Sequence, residues 1–149
     1  SIMPVLGFGE FWNSNATVRA CLGCPTARET AVWMAEETFV GGKMMWRQDT
    51  DMIYCLFNDG TWQQFPNTWT AGEPETDPDI VPPPGYYQPR RGFGKLWRNN
   101  SVVRSKMSWA TNEERGFTGA IQPFQTGLMF WSPGLGIHAL CNSGLWYRY

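Results

Sequence analysis

The sequence is poor in charged residues and contains a single histidine, His138. Lys, Arg, Asp and Glu make up 17% of its 149 residues, whereas hydrophobic residues make up 42% and aromatic residues 15%. Disordered chains have the opposite composition, so this one favours a packed globular protein. One histidine cannot form a His-rich metal site.

Long apolar runs are also absent. The sequence has no run of 18 apolar residues, and a helix needs about 20 of them to cross a bilayer, so we expect no transmembrane segment. No signal peptide is visible at the start. The net charge of −1 argues against a nucleic-acid-binding module.

The sequence does contain an internal duplication. Residues 7–19 read GFGEFWNSNATVR and residues 92–104 read GFGKLWRNNSVVR, an offset of 85 positions. The match continues to the end of both copies, and the offset becomes 84 after Trp131. This self-similarity predicts an N-terminal arm (1–6), a first repeat (7–65), a Pro-rich acidic linker (66–91) and a second repeat (92–149).

Each copy combines a helical pattern with strand patterns. Residues 10–22 and 95–107 place apolar side chains at helical spacing. Short apolar segments follow, separated by turn signals such as Asn58-Asp59-Gly60. We therefore predict an α+β fold of two tandem repeats, each a helix plus a three- to four-stranded antiparallel meander, joined by the Pro-rich linker. Thr26–Glu29 and Thr111–Glu114 have the spacing of a helix capping box.

Charge is distributed unevenly along the chain. Residues 6–65 carry four basic and seven acidic residues, residues 66–89 carry four acidic residues, and residues 90–149 carry eight basic and two acidic residues. Complementary charges at the two ends favour a head-to-tail contact between molecules, which propagates into a filament unless it closes a ring. The alternative is that the two ends neutralise each other within a compact monomer.

Four cysteines are present, and three disulfide connectivities are open for Cys21, Cys24, Cys55 and Cys141. None of them is a cysteine in both copies, so the sequence does not indicate a duplicated metal framework. Cys21 and Cys24 have CxxC spacing, but zinc sites usually combine two such pairs. We expect buried thiols or structural disulfides, with no metal and no cofactor.

Tryptophan recurs at equivalent positions of the two copies. Core packing is the first interpretation, because a buried Trp removes a large apolar surface from water. The alternative is that one pair lines a shallow groove for sugars or peptides, and here Trp62 and Trp146 stand out because each adjoins a hairpin turn. The predicted ligand- or partner-contact residues are Trp62, Trp146, Trp46, Trp131 and Tyr147.

The sequence shows no catalytic constellation. His138 matches Tyr54 of the first copy and lies in a predicted strand, which favours a packed residue over a general base. A glycosidase needs two opposed carboxylates, whereas the second repeat contains only Glu113 and Glu114, and Glu114 is assigned to capping. We predict that the protein is not an enzyme, with a hydrolase that uses His138 as the competing class.

The segment LGCPTARE…FVGGKMMW…IYCLFNDGTW resembles the LGFP repeat of bacterial envelope proteins. The matching positions are Leu22, Gly23, Pro25, Thr26, Glu29, Phe39, Gly41, Gly42 and Trp46. The second copy departs from the pattern at Met107-Ser108, Ala110 and Thr126. The resemblance implies a secreted or cell-surface location, envelope or glycan binding, and no catalytic residues.

These features predict a non-catalytic extracellular structural or binding protein of the bacterial surface. In the first hypothesis it assembles with itself head to tail into a filament or layer, and Ile2, Met3 and Val5 of the arm add to a neighbour's sheet. In the alternative it is a monomeric module that binds cell-wall or other envelope polysaccharide through its repeated tryptophans. We expect no nucleic-acid partner.

Overall fold

The computed structural model describes residues 2–149, so Ser1, the first residue of the predicted arm, lies outside the described residues. Strand residues outnumber helical residues in it. The elements are, in chain order, α1 (Leu6–Ser14), α2 (Ala16–Leu22), β1 (Thr30–Phe39), β2 (Gly42–Arg47), β3 (Met52–Phe57), β4 (Trp62–Pro66), α3 (Arg91–Asn99), α4 (Ser101–Met107), β5 (Arg115–Phe124), β6 (Gly127–Ser132), β7 (Gly136–Cys141) and β8 (Trp146–Arg148).

Each copy begins with two short helices, where the sequence predicted one. An asparagine with extended backbone, Asn15 or Asn100, separates them. Its side-chain oxygen accepts a hydrogen bond from the backbone N–H of Val18 (3.1 Å) or Val103 (3.0 Å). This is N-cap geometry, which satisfies one of the unpaired amides at the start of the second helix. The recurring asparagine is therefore a helix boundary.

The strands of each copy form an antiparallel meander with the same register. In the first copy β2 pairs with β1 and β3, and Glu37 lies opposite Met44. In the second copy β6 pairs with β5 and β7, and Gln122 lies opposite Met129. Hydrogen bonding continues through all strands in the order β4-β3-β2-β1-β5-β6-β7-β8, which is one eight-stranded antiparallel sheet.

The helices of each copy pack on the strands of the other copy. α1 and α2 lie against β7, and α2 also lies against β6, whereas α4 lies against β2 and β3. The chain accordingly forms two compact units: the first comprises residues 1–33, 60–62 and 117–149, and the second residues 34–59 and 63–116. Each unit therefore combines helices from one copy with strands from the other.

Each unit has its own helix-to-strand core. In the first unit Val18 and Leu22 of α2 pack with Met129 of β6, and all three side chains are 0% exposed. In the second unit Val103 and Met107 of α4 pack in the same way with Met44 of β2, again at 0% exposure. Full burial of an apolar side chain of this size stabilises the folded state by about 2 kcal/mol.

The predicted fold class of two α+β repeats, each a helix on its own meander, is wrong. The chain is mostly β, all eight strands belong to one sheet, and each helix pair covers strands of the other copy. Sequence similarity identifies equivalent segments, but both copies offer equivalent apolar positions. The pattern therefore cannot tell which set of strands a helix will cover.

The predicted capping boxes are also wrong. The segments 26–29 and 111–114 are irregular and lead into β1 and β5. The Thr111 hydroxyl donates to the carbonyl of Thr38 (3.1 Å), and the Glu114 carboxylate accepts two hydrogen bonds from Arg91. Thr111 and Glu114 thus form hydrogen bonds with Thr38 and Arg91 and not with the amides of a helix start. The spacing alone therefore gave a wrong prediction.

A disulfide bond crosslinks the first unit. It joins Cys21 of α2 to Cys141 of β7, which are 120 residues apart in the sequence. It therefore ties a helix of the first copy to a strand of the second. Cys24 is free and exposed, whereas Cys55 is free and buried, and burial raises the pKa of the Cys55 thiol.

Replacing Cys21 and Cys141 together by serine is expected to lower the free energy of unfolding by up to about 5 kcal/mol, because the bond closes a very long loop of the unfolded chain. Urea denaturation of the oxidised protein measures this. Cys24→Ser is the matched control and should change little, because that thiol is free and exposed. A peptide map that joined Cys21 to Cys24 would contradict the exchanged helix packing.

Candidate functional site

The second unit contains a cavity of about 350 Å³ between β1, the linker and the segment that precedes β5. We call it the Glu37 pocket, after the residue that β1 contributes. Tyr86 and Tyr87 come from the linker, and Gln88 lies beside them. Paired arginines and glutamates complete the lining, and its volume lies within the range of small-ligand sites.

Glu37 supplies a buried carboxyl group to this pocket. Side chains alternate along a strand, so Ala35, Glu37 and Phe39 of β1 share one face, and Ala35 and Phe39 belong to the core that α3 and α4 cover. Glu37 is 2% exposed, and its Oε1 atom has no hydrogen-bond partner among the described residues. A buried polar atom without a partner is costly, so a ligand group that paired with it would recover that free energy.

The surroundings of Glu37 favour its protonated form. Burial, followed by the nearby carboxylates of Glu114 and Glu113, raises the pKa of Glu37 to about 8, and Arg90 acts in the opposite direction. The carboxyl group is therefore largely protonated at neutral pH. In that form it offers one O–H donor, whereas the ionised form offers only acceptors.

Gln88 fixes the linker beside the pocket. Its side-chain N–H group donates to the carbonyls of Asp77 (2.8 Å) and Ile80 (2.9 Å). Its side-chain oxygen accepts a hydrogen bond from the backbone N–H of Asp77 (2.8 Å). One amide thus closes the loop formed by residues 77–88, and this Pro-rich segment has a defined course in spite of its composition.

The course of the linker determines where its two tyrosines lie. Tyr87 exchanges two backbone hydrogen bonds with Ala110, at 2.9 and 3.2 Å. Tyr86 and Tyr87 are each 40% exposed while they line the pocket. Two adjacent aromatic rings therefore remain available to a ligand next to a buried carboxyl group.

The remaining charges of the pocket are paired. Arg91 donates from Nε (3.1 Å) and Nη2 (2.9 Å) to Oε1 of Glu114, and this pairing raises the pKa of Arg91. Arg90 forms a looser pair with Glu113, at 3.9 Å. Each arginine compensates one glutamate, which leaves Glu37 as the acid in the pocket whose charge has no dedicated counter-ion.

The duplication provides an equivalent position in the first unit. Gln122 matches Glu37 at the offset of 85, has the same register, and is also 2% exposed. Its side-chain N–H group donates to the Ala27 carbonyl (3.1 Å), and its Oε1 atom has no partner among the described residues. The fold thus places a buried polar side chain here in both copies.

The chemistry around the two positions differs. Arg90 and Arg91 of the second copy are matched by the apolar residues Val5 and Leu6 of the first copy. The backbone conformation is the same, because Leu6 and Arg91 have positive φ angles of 51° and 52°, respectively. Tyr87 matches Ile2, and the charged lining is likewise changed. The strand register and the backbone conformation are therefore duplicated, whereas Glu37, Tyr87 and the arginine pair have no equivalents in the first unit.

Two further cavities, of about 260 and 350 Å³, adjoin α3 and the linker in the second unit. Lys95 lines both of them and is already bonded to Glu73 at 2.7 Å. Neither cavity is lined by a buried side-chain nitrogen or oxygen atom that lacks a partner among the described residues. The Glu37 pocket is therefore the stronger candidate.

The predicted tryptophan surface is divided between the units. Trp46 belongs to the second unit and donates its indole N–H to Asp51 (2.7 Å). Trp62 belongs to the first unit and donates to the carbonyl of Cys141 (2.8 Å). Both indoles are half-buried and hydrogen-bonded within their unit, which fits the core interpretation of these positions.

The other three predicted contact residues belong to the first unit. The half-buried Trp146 ring lies 5.5 Å from the ring of His138, and Tyr147 packs against the core beneath α1 and α2. Trp131 is 39% exposed. A role of these residues in binding stays a prediction.

His138 is a packed core residue. It is 0% exposed and stacks on Phe130 with the ring centres 4.8 Å apart. The three arm residues predicted to mediate assembly, Ile2, Met3 and Val5, are 37%, 50% and 54% exposed. Their role in assembly stays a prediction.

Comparisons with protein-family models, with curated proteins and with solved structures find no match to this chain. The resemblance to LGFP repeats therefore stays an expectation. Among residues 2–149, no three His, Cys, Asp or Glu side chains are grouped to hold a metal ion. In that same part of the chain, no helix has the length and apolarity needed to cross a membrane.

Sequence reasoning missed Glu37 and the two linker tyrosines as site residues. One signal was available: a polar residue, Glu37 or Gln122, recurs at the same strand position of both copies, two residues before a core phenylalanine. The contribution of Tyr86 and Tyr87 depends on how the linker folds back, which no local pattern specifies.

Stability is expected to fall as the pH rises from about 4.5 to about 8, and Glu37→Gln should weaken this dependence. Folding raises the pKa of Glu37 from 4.5 to about 8, so the folded state binds a proton that the unfolded state releases in this window. The contribution is at most about 1.4 kcal/mol per pH unit. Urea denaturation at several pH values measures it. An unchanged slope in the variant would show that Glu37 titrates normally.

Proposed function

We propose that the chain is a non-catalytic carbohydrate-binding module of a secreted or cell-surface protein, and that the Glu37 pocket is its ligand site. One observation carries this proposal: a buried carboxyl group with an unpartnered oxygen lies beside two exposed tyrosine rings in a cavity of about 350 Å³. Because the rings and the carboxyl group belong to the same cavity, one ligand can contact both.

Sugars match this combination of groups. The faces of a pyranose ring present C–H groups that pack on aromatic side chains such as Tyr86 and Tyr87. The hydroxyl groups at its edge form hydrogen bonds with carboxyl and guanidinium groups, which Glu37 and Arg90 provide. A cavity with exposed rings and a few convergent polar groups is typical of a small-ligand site.

The pairing of the other carboxylates supports a binding role over hydrolysis. A glycosidase needs a second carboxyl group that is free to act as nucleophile or base opposite the general acid. Glu114 accepts two hydrogen bonds from Arg91, and Glu113 is paired with Arg90. Both carboxylates are thus engaged by an arginine of the pocket, and neither is placed as a free group opposite Glu37.

The disulfide between Cys21 and Cys141 supports an extracellular location, because structural disulfides persist in oxidising compartments. This agrees with the location that the LGFP-like pattern implies. It also fits a ligand from the cell envelope, such as a wall polysaccharide.

Self-assembly through the arm is a second candidate, favoured by the exposure of Ile2, Met3 and Val5. Its charge argument is weaker than the sequence suggests. The second unit combines nine basic with eleven acidic residues, and its ion pairs Lys106–Asp59 (3.0 Å) and Arg115–Glu36 (2.7 Å) join the two copies. Much of the complementary charge is thus compensated within the chain.

The double substitution Tyr86→Ala with Tyr87→Ala is expected to lower the affinity for a retained polysaccharide at least tenfold, about 1.4 kcal/mol, because it removes both exposed rings. A glycan array identifies the ligand, and calorimetry measures the affinity. Trp62→Ala with Trp146→Ala is the matched control and should keep binding if both variants stay folded by circular dichroism. Loss of binding in the tryptophan variant alone would favour the tryptophan surface, and no retention on any polysaccharide would refute the proposal.

If the arm mediates assembly, Met3→Ser with Val5→Ser is expected to reduce the oligomers seen by sedimentation velocity at low salt, because it removes apolar contact area. Val102→Ser is the matched control, since Val102 and Val5 are both 54% exposed. A strict monomer for the unaltered protein at high concentration would exclude this candidate.

A further inference from the structure

We infer that the ligand of the Glu37 pocket carries a protonated amine, as in a polysaccharide of non-acetylated amino sugars, and that this amine pairs with the Glu37 carboxylate. The inference rests on the proposed function and names the ligand class. It follows from the charges that face the pocket and from the position of its two aromatic rings.

The charge count of the pocket favours a cationic ligand. Arg90 and Arg91 at the start of α3 compensate Glu113 and Glu114, which precede β5. When ionised, Glu37 on β1 is the fifth charged residue of the lining, and neither of the two arginines in that lining is left to pair with it alone. With a neutral ligand Glu37 stays protonated, whereas an ammonium group provides the counter-charge that the ionised carboxylate requires.

The neighbouring acid does not share this position. Glu36, next to Glu37 on β1, pairs with Arg115 at 2.7 Å. Successive side chains of a strand point to opposite faces, so Glu36 and Arg115 do not compensate Glu37. The other titratable groups that line the pocket are the phenols of Tyr86 and Tyr87 from the linker.

The tyrosine rings suit a cation as well as a sugar. An ammonium group within about 6 Å of an aromatic face is attracted by the ring quadrupole. It also has three N–H donors, enough to reach the unpartnered Oε1 atom of Glu37 and a second acceptor. A sugar hydroxyl can donate only one hydrogen bond and brings no charge.

The two ligand classes predict opposite pH dependence. An ammonium group requires ionised Glu37, and the pKa of Glu37 is about 8 in the free protein, so binding releases a proton and affinity rises with pH. A neutral sugar that accepts a hydrogen bond from protonated Glu37 binds less well as the pH rises. Burial, followed by Glu114, Glu113 and Arg90, sets the pKa of Glu37 in both cases.

Glu37→Gln is a suitable variant because the protein already contains its equivalent. Gln122 occupies the matching strand position in the first unit with the same burial. We therefore expect the amide to be accommodated at position 37 without loss of the fold. The matched control is Glu29→Gln, which removes a carboxyl group from the first unit at the position equivalent to Glu114.

The experiment compares three β-1,4-linked tetrasaccharides that differ only at carbon 2: glucose, N-acetylglucosamine and glucosamine. Calorimetry of the full chain is expected to show at least tenfold tighter binding of the glucosamine oligomer. Its affinity should rise up to about tenfold per pH unit between about pH 4.5 and pH 6, a range that lies below the pKa of the amino-sugar amine, so the amine stays protonated. Titration in two buffers of different ionisation enthalpy should show that a proton is released.

Glu37→Gln is expected to abolish the preference for the amine and its pH dependence, whereas Glu29→Gln keeps both. Equal or tighter binding of the glucose or N-acetylglucosamine oligomer would overturn the inference and leave the proposed function standing. An amine preference that survives in Glu37→Gln would also overturn it. If none of the three oligomers nor any arrayed polysaccharide binds, the proposed function fails as well. The proton release is measured on the unaltered protein, so the test does not depend on the variant's stability.

Discussion

The fold depends on the burial of four short helices against strands that belong to the other copy of the repeat. With seven to nine residues each, these helices are too short to be stable in isolation, so their apolar faces require a strand surface. The exchange also determines where the linker lies. Both β4 and α3, which the linker connects, have most of their residues in the second unit. Residues 67–90 therefore run along that unit and bring the two tyrosines and Arg90 to Glu37.

The two copies share the backbone geometry around the candidate site but differ in the side chains that line it. Both copies keep a polar side chain in the row of β1 or β5 that faces the helices, and both keep the positive φ at the first helical residue. The buried carboxyl group and the two arginines near it occur in the second unit only, where Glu37 replaces Gln122 and Arg90 and Arg91 replace Val5 and Leu6. A second position with the same frame but an amide, Gln122, gives the protein an internal reference for what Glu37 adds.

The sequence predicted what depends on local pattern. It identified the two copies, the meanders with their turns at Asn58 and Asn142, and the helical segments before them. It failed where the outcome depends on distant partners. Each helix pair could pack on the strands of either copy, and the apolar pattern of the repeat does not distinguish between them. Thr111 and Glu114 fit a capping box, yet Thr38 and Arg91 take their hydrogen bonds. The candidate site was missed because the tyrosines that line it with Glu37 lie in the linker, about 50 positions away in sequence.

Because of the exchanged packing, the second unit can fold before the first unit during synthesis. The second unit needs residues up to 116 only, so its parts are all available while the last strands are still being made. The first unit begins with the N-terminal helices but needs β6 and β7, near the other end of the chain. Because α1 and α2 precede β6 and β7 by about 100 residues, they must wait longer for their partners than α3 and α4 do. Contacts this distant in sequence slow folding. Cys21 likewise stays a free thiol until Cys141 has emerged, with Cys24 close by as a competing partner throughout that interval.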